Sequence, residues 1–310
     1  MALDPIIQAI VDGTPPAAEP PADNAVRLQQ SRDGYLMLRA AGGEDPPLAS
    51  VVDRTIPGPA GDVPVRVYTP EGSGPFPVVV YFHGGGWTIG SIDSHDPVTR
   101  RMAAEAGAVV VSVEYRLAPE HPFPAAVDDS LAAFDWVFAN AAELNGDPSK
   151  LAVAGDSAGG NLAAVAAIHA RDTGTPLAAQ ILIYPSVDQR EGYASYDENE
   201  AGPFLTKETM VWFKAQYAAD PLDWRASPIV AEDLSRLAPA LVITGQYDPL
   251  RDEGKAYAAA LEEAGTPVTL HNYETMPHVF VQMWGVLPAA KECMTEIAET
   301  LKKAFAVSGS

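Results

Sequence analysis

Hydrophobic and polar positions follow two rhythms along this chain, and the change between them falls near residue 76. Before it, residues 3–11 carry the spacing of a short amphipathic helix, with Pro5 tolerable in the first turn. Residues 14–22 hold four prolines and read as a non-helical connector. Asp23 is placed to cap a second helix running to about Ala41 and ended by Gly42-Gly43. Both helices precede any strand, so they are expected as an accessory layer outside the main fold. Residues 50–56 and 63–69 then alternate apolar and polar side chains around Pro59-Ala60-Gly61-Asp62, the pattern of an antiparallel hairpin.

From residue 76 onward, short continuous apolar runs recur at 77–82, 108–113, 151–154, 180–184, 240–244 and 268–273. Helical patterns separate them at about 97–106, 125–142, 160–171, 252–264 and 287–305. Continuous Val/Ile runs alternating with helices predict an α/β fold, a mostly parallel sheet flanked by helices on both faces. In such sheets, reactive groups gather at the carboxyl ends of the strands. The rhythm breaks between Tyr184 and Ala240, where 55 residues hold an acidic loop (188–200) and an aromatic-rich helical pattern (206–219). A structureless loop of that length is improbable in a compact domain, so an inserted lid is expected there. The aromatic side chains Trp212 and Phe213, together with Trp87, are its candidates for walling an apolar substrate pocket.

Composition narrows the function classes. A formal charge of −21, from 41 acids against 20 bases, repels nucleic acid and anionic membranes, so neither is an expected partner. The lone cysteine, Cys293, makes no intramolecular disulfide and is expected as a packed thiol. The chain shows no signal-peptide pattern and no apolar run near the roughly 18 residues of a membrane span, and a cytoplasmic protein is expected. No metal-binding His/Cys/Glu pattern, phosphate loop or dinucleotide fingerprint appears, so neither metal nor cofactor is expected.

Three stretches carry candidate chemistry. Gly155-Asp156-Ser157-Ala158-Gly159 sits between a buried strand and an Ala-rich helix, the context of a nucleophile elbow that exposes Ser157 on a strained turn. His83-Gly84-Gly85-Gly86-Trp87 directly follows the strand at 78–82. Three glycines there let the backbone aim N–H groups into one cavity, so two of Gly84, Gly85 and Gly86, with Ala158, are the expected oxyanion donors. His83 is expected to orient this loop by hydrogen bonding. Asp248 and His278 each lie just past a carboxyl strand end, and complete the order Ser, Asp, His. Asp252 and Glu253 are alternative acids, better suited to helix capping. His95, His121 and His169 break the order, and His271 falls inside a strand.

Four motifs in one order, His83 to Trp87, Glu114 to Ala125, Gly155 to Gly160 and Asp248 to Gly254, resemble the bacterial hormone-sensitive-lipase-like esterases (family IV) with Gly-Asp-Ser-Ala-Gly at the elbow. The match runs from about residue 63 to the C-terminus. The resemblance implies an α/β-hydrolase fold with a helical cap. Its parts would be cap helices at 1–50, core at 51–187, a cap insertion at 188–238 and core again at 239–310. It also implies a serine carboxylesterase acting on short-chain esters through an acyl-enzyme, with Ser157, Asp248 and His278 as its triad. A small-molecule ester is then the expected partner, and a homodimer is possible. An amidase, lactonase or carbamate hydrolase would use the same triad, and a non-catalytic ligand-binding relative is a further alternative. The family usually has Gly after the catalytic histidine, where this chain has Val279.

Overall fold

The computed structural model describes residues 2–14 and 19–307. The proline-rich connector expected over 14–22 lies, at residues 15–18, outside the described residues. The chain opens with helices α1 (Pro5–Gly13) and α2 (Asn24–Met37), capped by the side chains of Asp4 and Asp23 respectively. Strands β1 (Ser50–Gly58) and β2 (Gly61–Thr69) form the expected hairpin, and β3 (Phe76–Phe82) begins the α/β alternation. It continues through α3 (Ile92–Ala106), β4 (Val109–Val113), α4 (Ala125–Ala139), β5 (Gly146–Asp156), α5 (Ala158–Thr173) and β6 (Ala179–Ile183). The insertion contributes α6 (Ala194–Glu198) and α7 (Lys207–Tyr217). After it come β7 (Ala240–Tyr247), α8 (Arg251–Glu263), β8 (Val268–Pro277) and α9 (Pro288–Val307).

The eight strands form one sheet in the order β1-β2-β4-β3-β5-β6-β7-β8. Only β1 and β2 run antiparallel to their neighbours, and β4 through β8 pair in parallel. Alternation within β3 divides the core. Val78, Val80 and Phe82 face α4, α5 and α8, whereas Val79 and Tyr81 face α3 and α9. These side chains are fully buried, each contributing about 1.5–3 kcal/mol of transfer free energy for the aliphatic ones.

Several boundaries differ from the sequence pattern for identifiable reasons. Helix α3 starts five residues before the expected 97 because Ser91 and Ser94 form a reciprocal capping box. Pro97 therefore lies inside the helix, and the Asp93 carbonyl that loses its partner accepts a hydrogen bond from Arg39 at 3.5 Å. Strand β5 begins at Gly146, not 151, because its first half is polar and partly exposed and carries no apolar run. Within the insertion, the acidic loop contains α6, which was not expected. Helix α1 is less peripheral than its position in the chain suggests: Ile7 is fully buried in the α9-side core, and the Asp4 amide donates to the Thr275 carbonyl of β8. Among the described residues, no helix is long and apolar enough to cross a membrane.

Candidate active site

The elbow is built by close backbone approach. A β-carbon on Gly155 would collide with the Gly159 carbonyl, and one on Gly159 with the Phe82 carbonyl of β3. Only glycine at both positions lets α5 start immediately after β5 and press against β3. The residue between them takes the strain: Ser157 has φ 55° and ψ −118°, outside the regions that L-residues ordinarily adopt. Its side chain is thereby lifted off the end of β5.

Ser157 Oγ lies 2.9 Å from His278 Nε2, and His278 Nδ1 lies 2.7 Å from Asp248 Oδ2. Asp248 is fully buried and His278 nearly so. The other carboxylate oxygen of Asp248 accepts the Leu250 amide at 2.8 Å, which fixes the carboxylate plane. Tyr184 packs against the His278 ring with centroids 4.6 Å apart. Val279, directly after this histidine, has φ 58° and ψ 9°, left-handed backbone that glycine adopts at no cost. The alternative acids are engaged elsewhere: Asp252 accepts the Ser195 amide, and Glu253 accepts that of Val187. Of the other histidines, His169 pairs with Asp135 and His271 with Glu296, while His121 lies on the surface.

The glycine loop is set by the groups that hold its carbonyls. His83 Nδ1 lies 2.8 Å from the Gly84 carbonyl, which can only accept, so Nδ1 carries the proton. Burial, and then the neighbouring His95, push the His83 pKa down to about 3, so its ring is neutral. Because the peptide unit is planar and trans, fixing the Gly84 carbonyl directs the Gly85 N–H to the opposite side. The Gly85 carbonyl likewise accepts from the amides of Thr88 (3.0 Å) and Ile89 (2.9 Å), which directs the Gly86 N–H. The amides of Gly85, Gly86 and Ala158 have no acceptor among the described residues, and all three residues line the cavity beside Ser157. Gly84 is a correction. Its N–H donates to Asp156 Oδ1 at 2.9 Å and it does not line the cavity, so it is not available to an oxyanion.

The cavity has a volume of about 310 Å³ and a mostly apolar wall. Trp87 and Phe213 line it as expected; Trp87 is held in place by stacking on Tyr217, centroids 4.2 Å apart. Trp212 is the second correction. Neighbouring residues on a helix point about 100° apart, and with Phe213 facing the cavity, Trp212 turns toward α2. There its Nε1 donates to Asn24 and the Arg27 guanidinium covers its ring. Nothing in the sequence pattern marks α2 as a source of wall residues, yet Gly34 and Tyr35 line the cavity from it, with Leu38 just beyond its end. Among the described residues, no group of three or more His, Cys, Asp or Glu side chains is placed to hold a metal ion.

An elbow serine in contact with a buried histidine–carboxylate pair, on this sheet, defines a serine hydrolase of α/β type. Residues 79–282 match the α/β hydrolase fold family. The chain is 44% identical to carboxylesterase NlhH of Mycobacterium tuberculosis, across 98% of this chain and 96% of that protein. It is 39% identical to an ethyl acetate hydrolase of Pseudomonas putida, over 78% of each. The structure of a hyperthermophilic esterase from the archaeon Pyrobaculum calidifontis superposes with a TM-score of 0.90 at 45% identity, covering 98% of this chain and 99% of that one. This chain belongs to the α/β hydrolase fold family, in its hormone-sensitive-lipase-like branch, and is a carboxylic ester hydrolase.

Proposed function

We propose that the enzyme hydrolyses short-chain acyl esters through an acyl-enzyme on Ser157. His278 Nε2 takes the Ser157 proton as Oγ attacks the ester carbonyl carbon. The carbonyl oxygen, now an oxyanion, is received by the N–H groups of Gly85, Gly86 and Ala158. His278 then returns the proton to the departing alkoxide, releasing the alcohol. Water, deprotonated by the same nitrogen, attacks the acyl-enzyme; the bond to Ser157 Oγ breaks, Oγ takes the proton back from His278, and the acid is freed. Asp248 holds the imidazole with Nδ1 protonated and stabilises the imidazolium of each step.

The observation that carries this reading is His278 in hydrogen-bond contact with both Ser157 and Asp248, beside three unused amides. The short-chain preference rests on cavity size, which is near the lower end of the roughly 300–1,000 Å³ of ligand pockets. We assign α1, α2 and the 188–238 insertion to a cap over the core segments 51–187 and 239–310, supported by the walls that Tyr35 and Phe213 give the cavity. The lone cysteine, which calls for no oxidising compartment, supports action in the cytoplasm. The test is hydrolysis of p-nitrophenyl esters of increasing acyl length. The expected outcome is a maximum at short chains, and a loss on the order of 10⁴-fold or more for Ser157→Ala with the fold retained. Substantial turnover by that variant would refute the triad.

A further inference from the structure

Behind the glycine loop lies a buried polar chain that the triad does not use. Asp156, the residue before the nucleophile, has essentially no solvent exposure. Its Oδ1 accepts the Tyr81 hydroxyl at 2.7 Å and the Gly84 amide at 2.9 Å. Its Oδ2 lies 3.2 Å from His95 Nε2, which is also 3.3 Å from the Gly84 nitrogen. Burial alone would raise the Asp156 pKa, but attraction to His95 and hydrogen bonds from His95 and Tyr81 outweigh it, so the carboxylate stays ionised. His95, fully buried, is steadied in turn by Ser94 Oγ at Nδ1 (2.9 Å) and by the Gln282 carboxamide, 3.0 Å from Nε2. Gln282 donates onward to the hydroxyl of Tyr35, which lines the cavity from α2.

The consequence for chemistry lies in the loop's dihedral freedom. Gly84, Gly85 and Gly86 have no side chains to pack, so nothing in their own chemistry selects one orientation of their peptide planes. The Gly84 residue is gripped at both ends, by Asp156 on its N–H and His83 on its carbonyl. Releasing the first grip leaves Gly84 held at its carbonyl alone, so the aim of the Gly85 amide, which that carbonyl sets, broadens. An oxyanion site works only when its donors are already aimed where charge develops.

We propose that Asp156 and His95 are positioning residues for ester hydrolysis, anchoring Gly84 so that the Gly85 amide, aimed by the Gly84 carbonyl, points at the reacting oxygen. The assignment rests on the Ser157 reading and adds to it a dedicated support for transition-state binding. Loss of the anchor raises the barrier while leaving the neutral ester's ground-state contacts intact, so kcat falls and KM holds.

The test uses the full chain with Asp156→Ala, which removes the acceptor of the Gly84 amide, and, separately, His95→Gln, on p-nitrophenyl butyrate and with an alkyl trifluoromethyl ketone as inhibitor. That ketone is attacked by a serine hydroxyl, and its carbonyl oxygen becomes an oxyanion held by the same amides. Each variant is expected to lose at least about tenfold in kcat, with KM within about threefold, and to weaken ketone inhibition by a matching factor. A general packing defect would lower the melting temperature without that match between kcat and ketone affinity. Parent-like kcat in both variants overturns the proposal, as does a kcat loss with ketone affinity unchanged. If Asp156→Ala does not fold, His95→Gln decides by the same readouts. Ser157→Ala run in parallel separates the two readings. Full kcat in the positioning variants with an inactive serine variant removes the anchor alone, whereas an active serine variant removes the triad itself.

Discussion

Val279 occupies a backbone conformation that disfavours it, and a side-chain position that favours it. Left-handed backbone costs a residue with a β-carbon roughly 1–2 kcal/mol, and φ 58° places Val279 there. Against this, its side chain is 96% removed from solvent, as its 4% exposure shows, and joins the α9-side core, a gain of about 1.5–3 kcal/mol. The two effects are close in size, which explains how valine is tolerated at a backbone position that suits glycine. They also predict an unusual order. Val279→Gly relieves the backbone while losing the burial, for a net change of about 1 kcal/mol or less. Val279→Ala keeps most of the strain, loses most of the burial, and is the less stable of the two. Urea unfolding of the three proteins checks this; alanine ranking above glycine would remove the strain from the account. The same scale shows what a lone sequence can carry. Ser157, Asp248 and His278 were legible because each follows an apolar run in a fixed order. The Asp156–His95 contact was not, because it joins positions 61 apart and leaves no periodicity. Its place in the chain rules His95 out as the triad base and says nothing about it as an anchor. Gly84 failed for a related reason: three identical glycines cannot say which amide is already occupied.

At the scale of elements, the first turn of α8 couples the insertion to the loop carrying Asp248. Glu253, fully buried, accepts the Val187 amide at 2.7 Å through one oxygen, and the Tyr196 hydroxyl of α6 through the other. Burial raises its pKa to about 7, although Tyr196, Lys214 and the Val187 amide pull it down. An acid whose folded pKa lies above its ordinary 4.5 binds its proton more tightly in the folded state. Its stabilising contribution is therefore complete below pH 4.5, declines as pH rises, and is lost above about 7. Glu253→Gln keeps an acceptor for the amide without the charge. Its melting temperature is expected to exceed that of the parent above pH 7, with the difference shrinking toward pH 5. A constant difference across that range would mean that Glu253 does not titrate there. None of this was visible in the helical pattern, which marked Glu253 only as a first-turn acid suited to the helix dipole. The strands were legible because both faces of the sheet are covered and apolar runs are continuous. Helix α6 and the first half of β5 were not, since polar contacts and local turns hold them.

Over the whole molecule, the surplus of 21 acids has already spent most of its close partners. Arg66 is shared by Asp53, Asp93 and Asp96, and Arg251 by Glu198 and Asp252. Further acids are exposed to solvent, and at long range they repel. Raising salt from about 0.15 M to 1 M shortens the screening length from about 8 Å to 3 Å. That removes most repulsion between separated carboxylates. It affects much less the contacts made to buried Asp96, whose partner Arg100 lies 2.6 Å away, and exposed ion pairs give up only a few tenths of a kcal/mol each. Repulsion therefore dominates the balance, and the melting temperature is expected to rise with sodium chloride over this range. The substrate proposed here is neutral and its cavity mostly apolar, so kcat/KM on a short p-nitrophenyl ester should be retained in 1 M salt. A falling melting temperature would show that ion pairs such as those of Arg66 contribute more than the surplus charge costs. A falling kcat/KM at constant stability would instead place a charged contact in the reaction path, where Lys214, on the cavity wall, is the first residue to test.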